Sequence, residues 1–141
     1  TLSIDRTAIA DQSVALESAP VVLGGGRGLD DAGFRQLETI AGLVGGAVGA
    51  SLPAIDLGLA PVSRQVGQSG KFVTPRVYLA VGLSGTPQHL AGIGSATRLL
   101  AINNDPDAAI FQFAESGVMA DARSLLPVLA KVIEERLGAA K

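Results

Sequence analysis

Short apolar runs, each followed within a few residues by a polar one, recur along this sequence and limit its fold more than any other feature. Four such runs occupy residues 20–23, 47–50, 77–81 and 99–102, and a weaker run lies near residues 118–120. Continuous apolar runs of this length are typical of strands that are buried on both faces. The sequence therefore predicts five short strands in a sheet that is covered on both faces.

Helical periodicity appears between and after these runs. One segment is expected to end at Gly45-Gly46 and has its apolar positions at Phe34, Leu37, Ile40, Ala41 and Val44. A last segment is expected to stop at Gly138, with Leu125, Leu129, Val132, Ile133 and Leu137 on one face. A further helix is predicted to start near Thr86-Pro87. Strands that alternate with helices predict an α/β fold, a parallel sheet with helices on both faces.

The domain organisation is expected to be simple. Residues 1–19 are only weakly periodic, so we interpret them as a linker or edge segment, with a short edge strand around residues 14–16. Residues 20–141 are predicted to form one domain, because a chain of 141 residues needs only one core. Since the first residue is Thr1 rather than Met, we expect the chain to be a piece of a longer protein.

Composition excludes several classes of site. The chain has no cysteine, which excludes disulfides, thiolate metal sites and thiol catalysis, and its one histidine, His89, excludes multi-histidine metal clusters. The net charge of −2 gives no electrostatic reason to expect nucleic acid or an anionic membrane as a partner. Neither a membrane-spanning run nor a signal peptide is visible. We interpret the chain as a soluble intracellular domain.

Polar residues stand where the predicted strands end. They are Arg27, Ser51, Ser84, Asn103 and Asp121. In open α/β sheets, ligands bind outside the carboxyl ends of the strands, which all lie at one edge. This pattern therefore predicts a site for a nucleotide or another phosphate-bearing ligand.

The glycine-rich loop at residues 24–28 leaves two interpretations open. Its backbone N–H groups and Arg27 could hold a phosphate, or the loop could be a turn with a solvated arginine. The loop lacks the third glycine of a dinucleotide fingerprint in every register.

Two other motifs resemble enzyme signatures and are rejected. Residues 67–71 resemble the end of an NTPase phosphate loop, but Phe72 stands where serine or threonine would bind magnesium. Residues 82–85 are one residue short of a hydrolase nucleophile elbow, and His89 lies in the helix that follows immediately. Ser84 is better interpreted as a residue that faces an anion such as pyrophosphate.

An ordered set of segments resembles the alpha subunit of electron-transfer flavoproteins, including the related Fix-type subunits, from residue 21 to the end of the chain. The matching segments are Gly25-Gly26-Arg27-Gly28-Leu29, Gly46-Ala47-Val48-Gly49-Ala50-Ser51, Gln65-Val66-Gly67-Gln68-Ser69-Gly70-Lys71, Ala80-Val81-Gly82-Leu83-Ser84-Gly85, Gln88-His89-Leu90-Ala91-Gly92, Ala101-Ile102-Asn103, Asp105-Pro106 and Ile110-Phe111-Gln112.

The resemblance implies a Rossmann-like, single FAD-binding domain with an extended FAD across the strand ends. The phosphate-bearing part would be held by Arg27, Ser51 and Ser84, with Gly85 allowing close approach of the backbone. The isoalloxazine would be lined by Val66, Gly67, Gln68 and Ser69, with the Ser69 hydroxyl near N5. The ribityl chain and the N1/C2=O edge would lie by Gln88 and a cationic or hydrogen-bonding His89. Thr86 and Pro87, which precede them in the same loop, are also predicted to bind the cofactor. The adenosine end would be held by Asn103, Asp121 and Ala122.

Two departures from the family pattern bear on the flavin. The family usually has threonine where this chain has Ser69, a change that keeps the hydroxyl. It usually has arginine near the flavin ring where this chain has Leu52. The second change is expected to alter the redox properties of a bound flavin.

The resemblance implies an electron carrier rather than an enzyme. FAD would accept electrons from flavin dehydrogenases and pass them to a quinone-reductase-type acceptor, with an electron-transfer flavoprotein beta subunit helping to enclose the flavin. The expected location is the bacterial cytoplasm or the mitochondrial matrix, and the family's alpha subunit also carries an amino-terminal domain that these residues do not include. The alternative is a non-redox nucleotide-binding module that organises subunit assembly.

Overall fold

A five-stranded parallel sheet forms the centre of the protein. The computed structural model describes residues 15–139. The strands are β1 (Val21–Gly25), β2 (Ala47–Ala50), β3 (Val77–Val81), β4 (Arg98–Asn103) and β5 (Ser116–Met119). Their order in the sheet is β2-β1-β3-β4-β5, and every neighbouring pair is parallel. The predicted α/β fold with a parallel sheet is confirmed.

Five α-helices connect or follow the strands. They are α1 (Asp31–Val44), α2 (Leu52–Asp56), α3 (Pro87–Leu90), α4 (Ile110–Phe113) and α5 (Ala122–Ala139), and short 3₁₀ turns occupy Leu16–Ser18 and Val62–Arg64. Within the described part of the chain, no helix combines the length and apolarity needed to cross a bilayer.

The first helix begins and ends at residues that the sequence makes suitable. The Asp30 carboxylate accepts a hydrogen bond of 2.8 Å from the Gly33 N–H, which satisfies one of the free donors at the helix start. Gly45 follows the helix in the left-handed conformation, at φ 69°, where glycine has no steric penalty. The predicted stop at Gly45 is thus confirmed.

Helices, turns and loops pack on both faces of the sheet as predicted, but the edge strand β5 is exposed along its whole length. On one face, α1 and α5 pack over Leu23 and Val81, with Leu37 and Leu126 fully buried between the layers. On the other face, the Leu16–Ser18 turn, α3 and α4 cover a second core cluster that includes Tyr78. The long helices thus lie on one face, and the other face is covered mainly by loops and short helices.

The predicted edge strand near residues 14–16 is wrong for Ala15 and Leu16, the two of these residues that the structure describes. Leu16–Ser18 is a 3₁₀ turn, closed by a bond of 3.1 Å from the Ser18 N–H to the Ala15 carbonyl, while Val14 lies outside the described residues. The apolar signal in this segment has another cause, because the Leu16 side chain is buried against the second core cluster.

Two details of the last helix also differ from the prediction. The helix runs through Gly138 to Ala139, because a glycine ends a helix only when it leaves the helical conformation, as Gly45 does. The exposed fractions of Val132 and Leu137 are 43% and 39%, so these two residues do not face the core. The buried positions are instead Leu126 and Ala130, one helical turn apart.

The core position of Leu126 yields a stability prediction. Leu126→Ala should lower the free energy of unfolding by about 2–5 kcal/mol, because the side chain is fully buried and its removal leaves a cavity. Val128→Ala is the matched control on the same helix, since Val128 is 57% exposed, and it should change stability by less than about 0.5 kcal/mol. Urea unfolding of both variants measures the difference, and equal effects would show that α5 is not seated on the core as described.

Candidate functional site

The loops that follow β1 and β3 touch through their backbones. The Gly26 N–H donates to the Val81 carbonyl at 3.0 Å, and the Gly28 N–H donates to the Gly82 carbonyl at 3.2 Å. A Cβ on Gly26 would overlap the Gly82 carbonyl, so only glycine permits this approach. The glycine-rich loop is therefore needed to join the two strand ends, whatever else it binds.

A cavity of about 310 Å³ opens at the carboxyl ends of β1 to β4. It is lined by four of the five predicted strand-end residues, Arg27, Ser51, Ser84 and Asn103. The side chains of Arg27 and Ser84 are exposed, whereas Ser51 and Asn103 are buried. Among the other predicted site residues, Gly85, Thr86 and His89 also line this first cavity.

A second cavity, of about 430 Å³, adjoins the first. It is lined by five more of the predicted site residues, Val66, Gly67, Gln68, Ser69 and Gln88. Ser51, Pro53, Thr86 and His89 line both cavities, so the two spaces share one wall. Leu52 also lines the second cavity. A ligand long enough to occupy both spaces would pass His89.

Three predicted site residues line neither of these cavities: Pro87, Asp121 and Ala122. Pro87 is the first residue of α3, where it is exposed. Asp121 precedes α5, and its carboxylate accepts a hydrogen bond of 3.0 Å from the Arg123 N–H. Asp121 thus acts here as a helix cap, which is a common use of aspartate at a strand-to-helix junction.

Asn103 has a structural role in the cavity wall. Its side-chain Nδ2 donates to the Leu83 carbonyl at 2.8 Å, and its Oδ1 accepts from the Asp105 N–H at 2.9 Å. These bonds tie the end of β4 to the loop that follows β3. One N–H of Nδ2 and one lone pair of Oδ1 are not used by these two bonds and remain available to a ligand.

The Ser69 hydroxyl is oriented by a neighbouring side chain. Gln65 is buried, and its Nε2 donates to Ser69 Oγ at 2.9 Å. Because this bond occupies a lone pair of the oxygen, the hydroxyl proton remains free to be donated elsewhere. Ser69 is therefore suited to donate to an acceptor in the second cavity.

The 65–71 segment is fixed to the α3 turn through the backbone. The Gln68 N–H donates to the Gln88 carbonyl at 2.7 Å. Gly67 adopts φ 149°, a conformation that other residues rarely take, and its Cα lies close to Gly92. The two walls of the second cavity are thus held together by main-chain contacts.

His89 is buried between the cavities and paired with a tyrosine. Its Nε2 lies 2.6 Å from the Tyr78 hydroxyl, and its Nδ1 has no hydrogen-bond partner in good geometry among the described residues. Burial lowers the pKa of His89 to about 4, and the Val66 backbone opposes this shift with a smaller effect. The imidazole is therefore neutral near pH 7, which favours the hydrogen-bonding role over the cationic one.

Sequence reasoning assigned no role to several residues of the site. Gln65 and Tyr78 act through their bonds to Ser69 and His89, while Pro53, Asp105 and Ala108 line the first cavity. Tyr78 carried a usable signal, since a tyrosine inside a buried strand needs a partner for its hydroxyl. Gln65 lay in a quoted segment but gave no sign of which residue it contacts.

The fold and the paired cavities define the class of protein: an open-sheet α/β domain with a ligand-sized cleft at the carboxyl ends of its strands. The family described as "Electron transfer flavoprotein FAD-binding domain" matches residues 15–94. The chain belongs to this family, the alpha subunits of electron transfer flavoproteins, as the resemblance predicted.

Curated relatives agree with this assignment. The chain is 42% identical over 127 residues to an electron transfer flavoprotein subunit alpha of Thermoanaerobacterium thermosaccharolyticum, covering 89% of this chain and 38% of the relative. It is 47% identical over 121 residues to a mitochondrial subunit alpha of Dictyostelium discoideum, covering 85% of this chain and 34% of the relative. Protein FixB of Azotobacter vinelandii is 43% identical over 127 residues, covering 89% of this chain and 35% of the relative. The chain thus spans about a third of the length of these relatives.

A solved structure shares the fold at low sequence identity. It is described as a thiamin diphosphate-dependent enzyme from Mycobacterium smegmatis, with a TM-score of 0.51 and 16% identity, covering 90% of this chain and 28% of that one. At this identity the likeness shows the α/β fold alone.

The buried histidine predicts that stability depends on pH. The folded chain keeps His89 neutral down to a pKa of about 4, whereas the unfolded chain takes up the proton near pH 6.5. Between these values the unfolded state binds more protons, so stability falls as pH falls. Between about pH 7.5 and about pH 5, the protonation of His89 should lower the free energy of unfolding by on the order of 2 kcal/mol.

Urea unfolding at the two pH values measures this loss, and His89→Gln is the matched variant. His89 is the one histidine of the chain, so the variant removes the imidazole contribution entirely. Between the two pH values, the free energy of unfolding should therefore fall by about 2 kcal/mol less in His89→Gln than in the unaltered chain. An equal loss in both proteins would contradict a buried, neutral His89.

Proposed function

We propose that this chain binds FAD as part of an electron transfer flavoprotein alpha subunit and serves as an electron carrier. Bound FAD would supply the chemistry, which is reversible uptake of electrons at the isoalloxazine. The protein's contribution is to hold the cofactor and to set the electrostatics around it. No substrate bond is made or broken by these residues.

The observation that carries the proposal is the pair of adjoining cavities at the strand ends. Ser51, Pro53, Thr86 and His89 line both cavities, so the two spaces lie side by side along the strand ends and could hold the two halves of one long ligand. A dinucleotide with a ring system at each end fits such a site better than a compact ligand does. Membership of a family described as FAD-binding supports the choice of FAD.

The first cavity suits the phosphate-bearing half of the cofactor. Arg27 is exposed at its rim and forms no ion pair within residues 15–139. Ser84 adds a hydroxyl on the neighbouring loop. Asp105 also lines this cavity, and its carboxylate would repel a phosphate but can accept from a ribose hydroxyl. We therefore expect the phosphates near Arg27 and the adenosine toward Asp105 and Asn103.

The second cavity suits the flavin ring. Its described lining carries no formal charge near pH 7, since His89 is neutral there. Ser69 offers a proton, and Gln68 and Gln88 in the lining carry side-chain amides. Hydrogen-bond donors that lie near the flavin stabilise the charge that reduction places on it. These residues thus fit the role that the family resemblance gives them.

An electron-transfer flavoprotein beta subunit is the proposed partner, and it would cover the second cavity. Leu52, in the lining, is 46% exposed, and Phe72, just after the 65–71 segment, is 58% exposed. Exposed apolar side chains beside a ligand site are typical of a surface that another chain covers. A flavin dehydrogenase as donor and a quinone-reductase-type enzyme as acceptor complete the proposal, with the bacterial cytoplasm or mitochondrial matrix as the location.

The choice of cofactor is tested by calorimetric titration of the chain with FAD, FMN and ADP, alone and with the beta subunit. FAD should bind at least about tenfold more tightly than either fragment, because each fragment leaves one cavity empty. Equal affinities for FAD and FMN would contradict the extended site. An ADP affinity equal to that of FAD would favour the alternative, a non-redox nucleotide-binding module.

The role of Arg27 is tested by a charge-removing pair of variants. Arg27→Gln should weaken FAD binding about tenfold, because a charge-assisted bond to phosphate is lost. Arg35→Gln is the matched control, since Arg35 is exposed on α1 and lines neither of the two cavities. If both variants bind FAD as the unaltered chain does, the phosphates lie elsewhere.

Because Leu52 stands where the family usually has arginine, we expect the midpoint potential of the bound flavin to be altered. A guanidinium about 5 Å from the ring, partly screened by solvent, would stabilise added negative charge by about 1–2 kcal/mol. This energy corresponds to on the order of 40–90 mV for one electron. Leu52→Arg should therefore raise the midpoint potential of bound FAD by that amount.

The control for this variant is Leu57→Arg, which adds the same charge at a residue that is 64% exposed and lines neither cavity. Redox titration of the complexes should show little change in potential for Leu57→Arg. Equal potentials in Leu52→Arg and the unaltered chain would mean that Leu52 does not lie beside the flavin.

A further inference from the structure

We propose that Tyr78 is a positioning residue for this site: its hydroxyl donates to Nε2 of His89 and thereby holds the imidazole in the tautomer that carries its proton on Nδ1. The assignment rests on the geometry of the buried pair. Only its consequence for the cofactor rests on the proposed function.

The pair is isolated from solvent. The Tyr78 side chain is fully buried and His89 is 4% exposed, with the two rings in an edge-to-face arrangement whose centroids are 5.7 Å apart. The oxygen-to-nitrogen distance of 2.6 Å is short for a bond of this kind. Among the described residues, His89 is the one hydrogen-bond partner of the Tyr78 hydroxyl.

Acid and base strength decide the direction of the bond. In either tautomer one donor and one acceptor of the pair stay unpaired, so the number of unpaired groups is the same. The neutral imidazole nitrogen is a much stronger base than the phenol oxygen, and the phenol O–H, which ordinarily ionises at about pH 10, is the better donor. A bond from the phenol to Nε2, with the imidazole proton on Nδ1, is therefore favoured.

The surroundings support the same arrangement. The Val66 backbone raises the pKa of His89, as an acceptor near an imidazole proton would, although no described atom reaches Nδ1 in hydrogen-bond geometry. Burial raises the pKa of Tyr78, so its hydroxyl keeps the proton that it donates. Both effects fit a phenol donor and an imidazole proton on Nδ1.

The sheet is built to make room for this tyrosine. Tyr78 lies on β3 and its ring crosses β1 at Gly24, where any Cβ would overlap the phenol. Gly24 belongs to the glycine-rich loop motif, yet it serves the packing of Tyr78 rather than an anion. The phenol is thus fixed on the sheet, while the α3 turn brings His89 to it from the cavity side.

The consequence for the site is a rigid, neutral imidazole in the wall shared by both cavities. Without the phenol, Nε2 would lose its partner and the ring could change both tautomer and orientation. A cofactor that contacts this wall would then meet a different pattern of donor and acceptor. Tyr78 therefore acts on the ligand through His89, without lining either cavity.

Nitrogen-15 NMR of the imidazole tests the tautomer directly, because the chain contains one histidine and the couplings to the ring C–H protons distinguish Nδ1 from Nε2. At neutral pH we expect a pyrrole-like Nδ1 and a pyridine-like Nε2. In Tyr78→Phe the Nε2-protonated form should appear. Thr97→Val is the matched control, since it removes a hydroxyl bonded to the Pro75 carbonyl and should leave the tautomer unchanged. A protonated Nε2 in the unaltered chain, or no change in Tyr78→Phe, would overturn the proposal.

A double-mutant cycle on FAD binding tests the consequence in the complex with the beta subunit. Tyr78→Phe should weaken FAD binding about tenfold in the unaltered background and less than about twofold in a His89→Gln background. Equal losses in both backgrounds would show that Tyr78 acts by packing alone. If the unaltered complex binds no FAD, the proposed function fails, while the NMR result still decides the tautomer.

Discussion

Backbone contact between the loops after β1 and β3 is the constraint on which the rest of the site depends. Gly26 and Gly28 donate to Val81 and Gly82, and the absence of side chains on these glycines lets the two loops meet. The same loops line the first cavity, where Arg27 is exposed. Gly26 and Gly28 are therefore required for the packing of these loops, and the cavity is formed beside their contact.

The second cavity is assembled by the same means at a different place. The 65–71 segment has little regular structure, yet main-chain bonds fix it to β2 through Ala50 and to the α3 turn through Gln88. Side-chain pairs then set the chemistry, with Gln65 directing Ser69 and Tyr78 directing His89. Ser69 and His89 are thus each held by a buried partner, which fixes their geometry in the cavity wall.

Much of the fold could be predicted from the sequence, because buried parallel strands and their terminal glycines leave strong local patterns. The β2 and β3 bounds and the Gly45 stop follow from such patterns. The partner of a side chain leaves no local signal, so the roles of Gln65 and Tyr78 emerged only from the structure. Val132 and Leu137 were misplaced for a related reason, since periodicity gives the width of an apolar stripe but not which part of it meets the sheet.

The central claim is that ligand binding takes place at the carboxyl edge of the sheet, across both cavities. Mapping backbone amide shifts of the labelled chain during FAD addition tests this claim most directly. FAD should shift the amide signals of residues 26–28, 51–53, 65–69 and 82–89, with little change along α1 and α5. Shifts concentrated instead in the apolar groove between β5 and α5, around Val118 and Leu129, would contradict it.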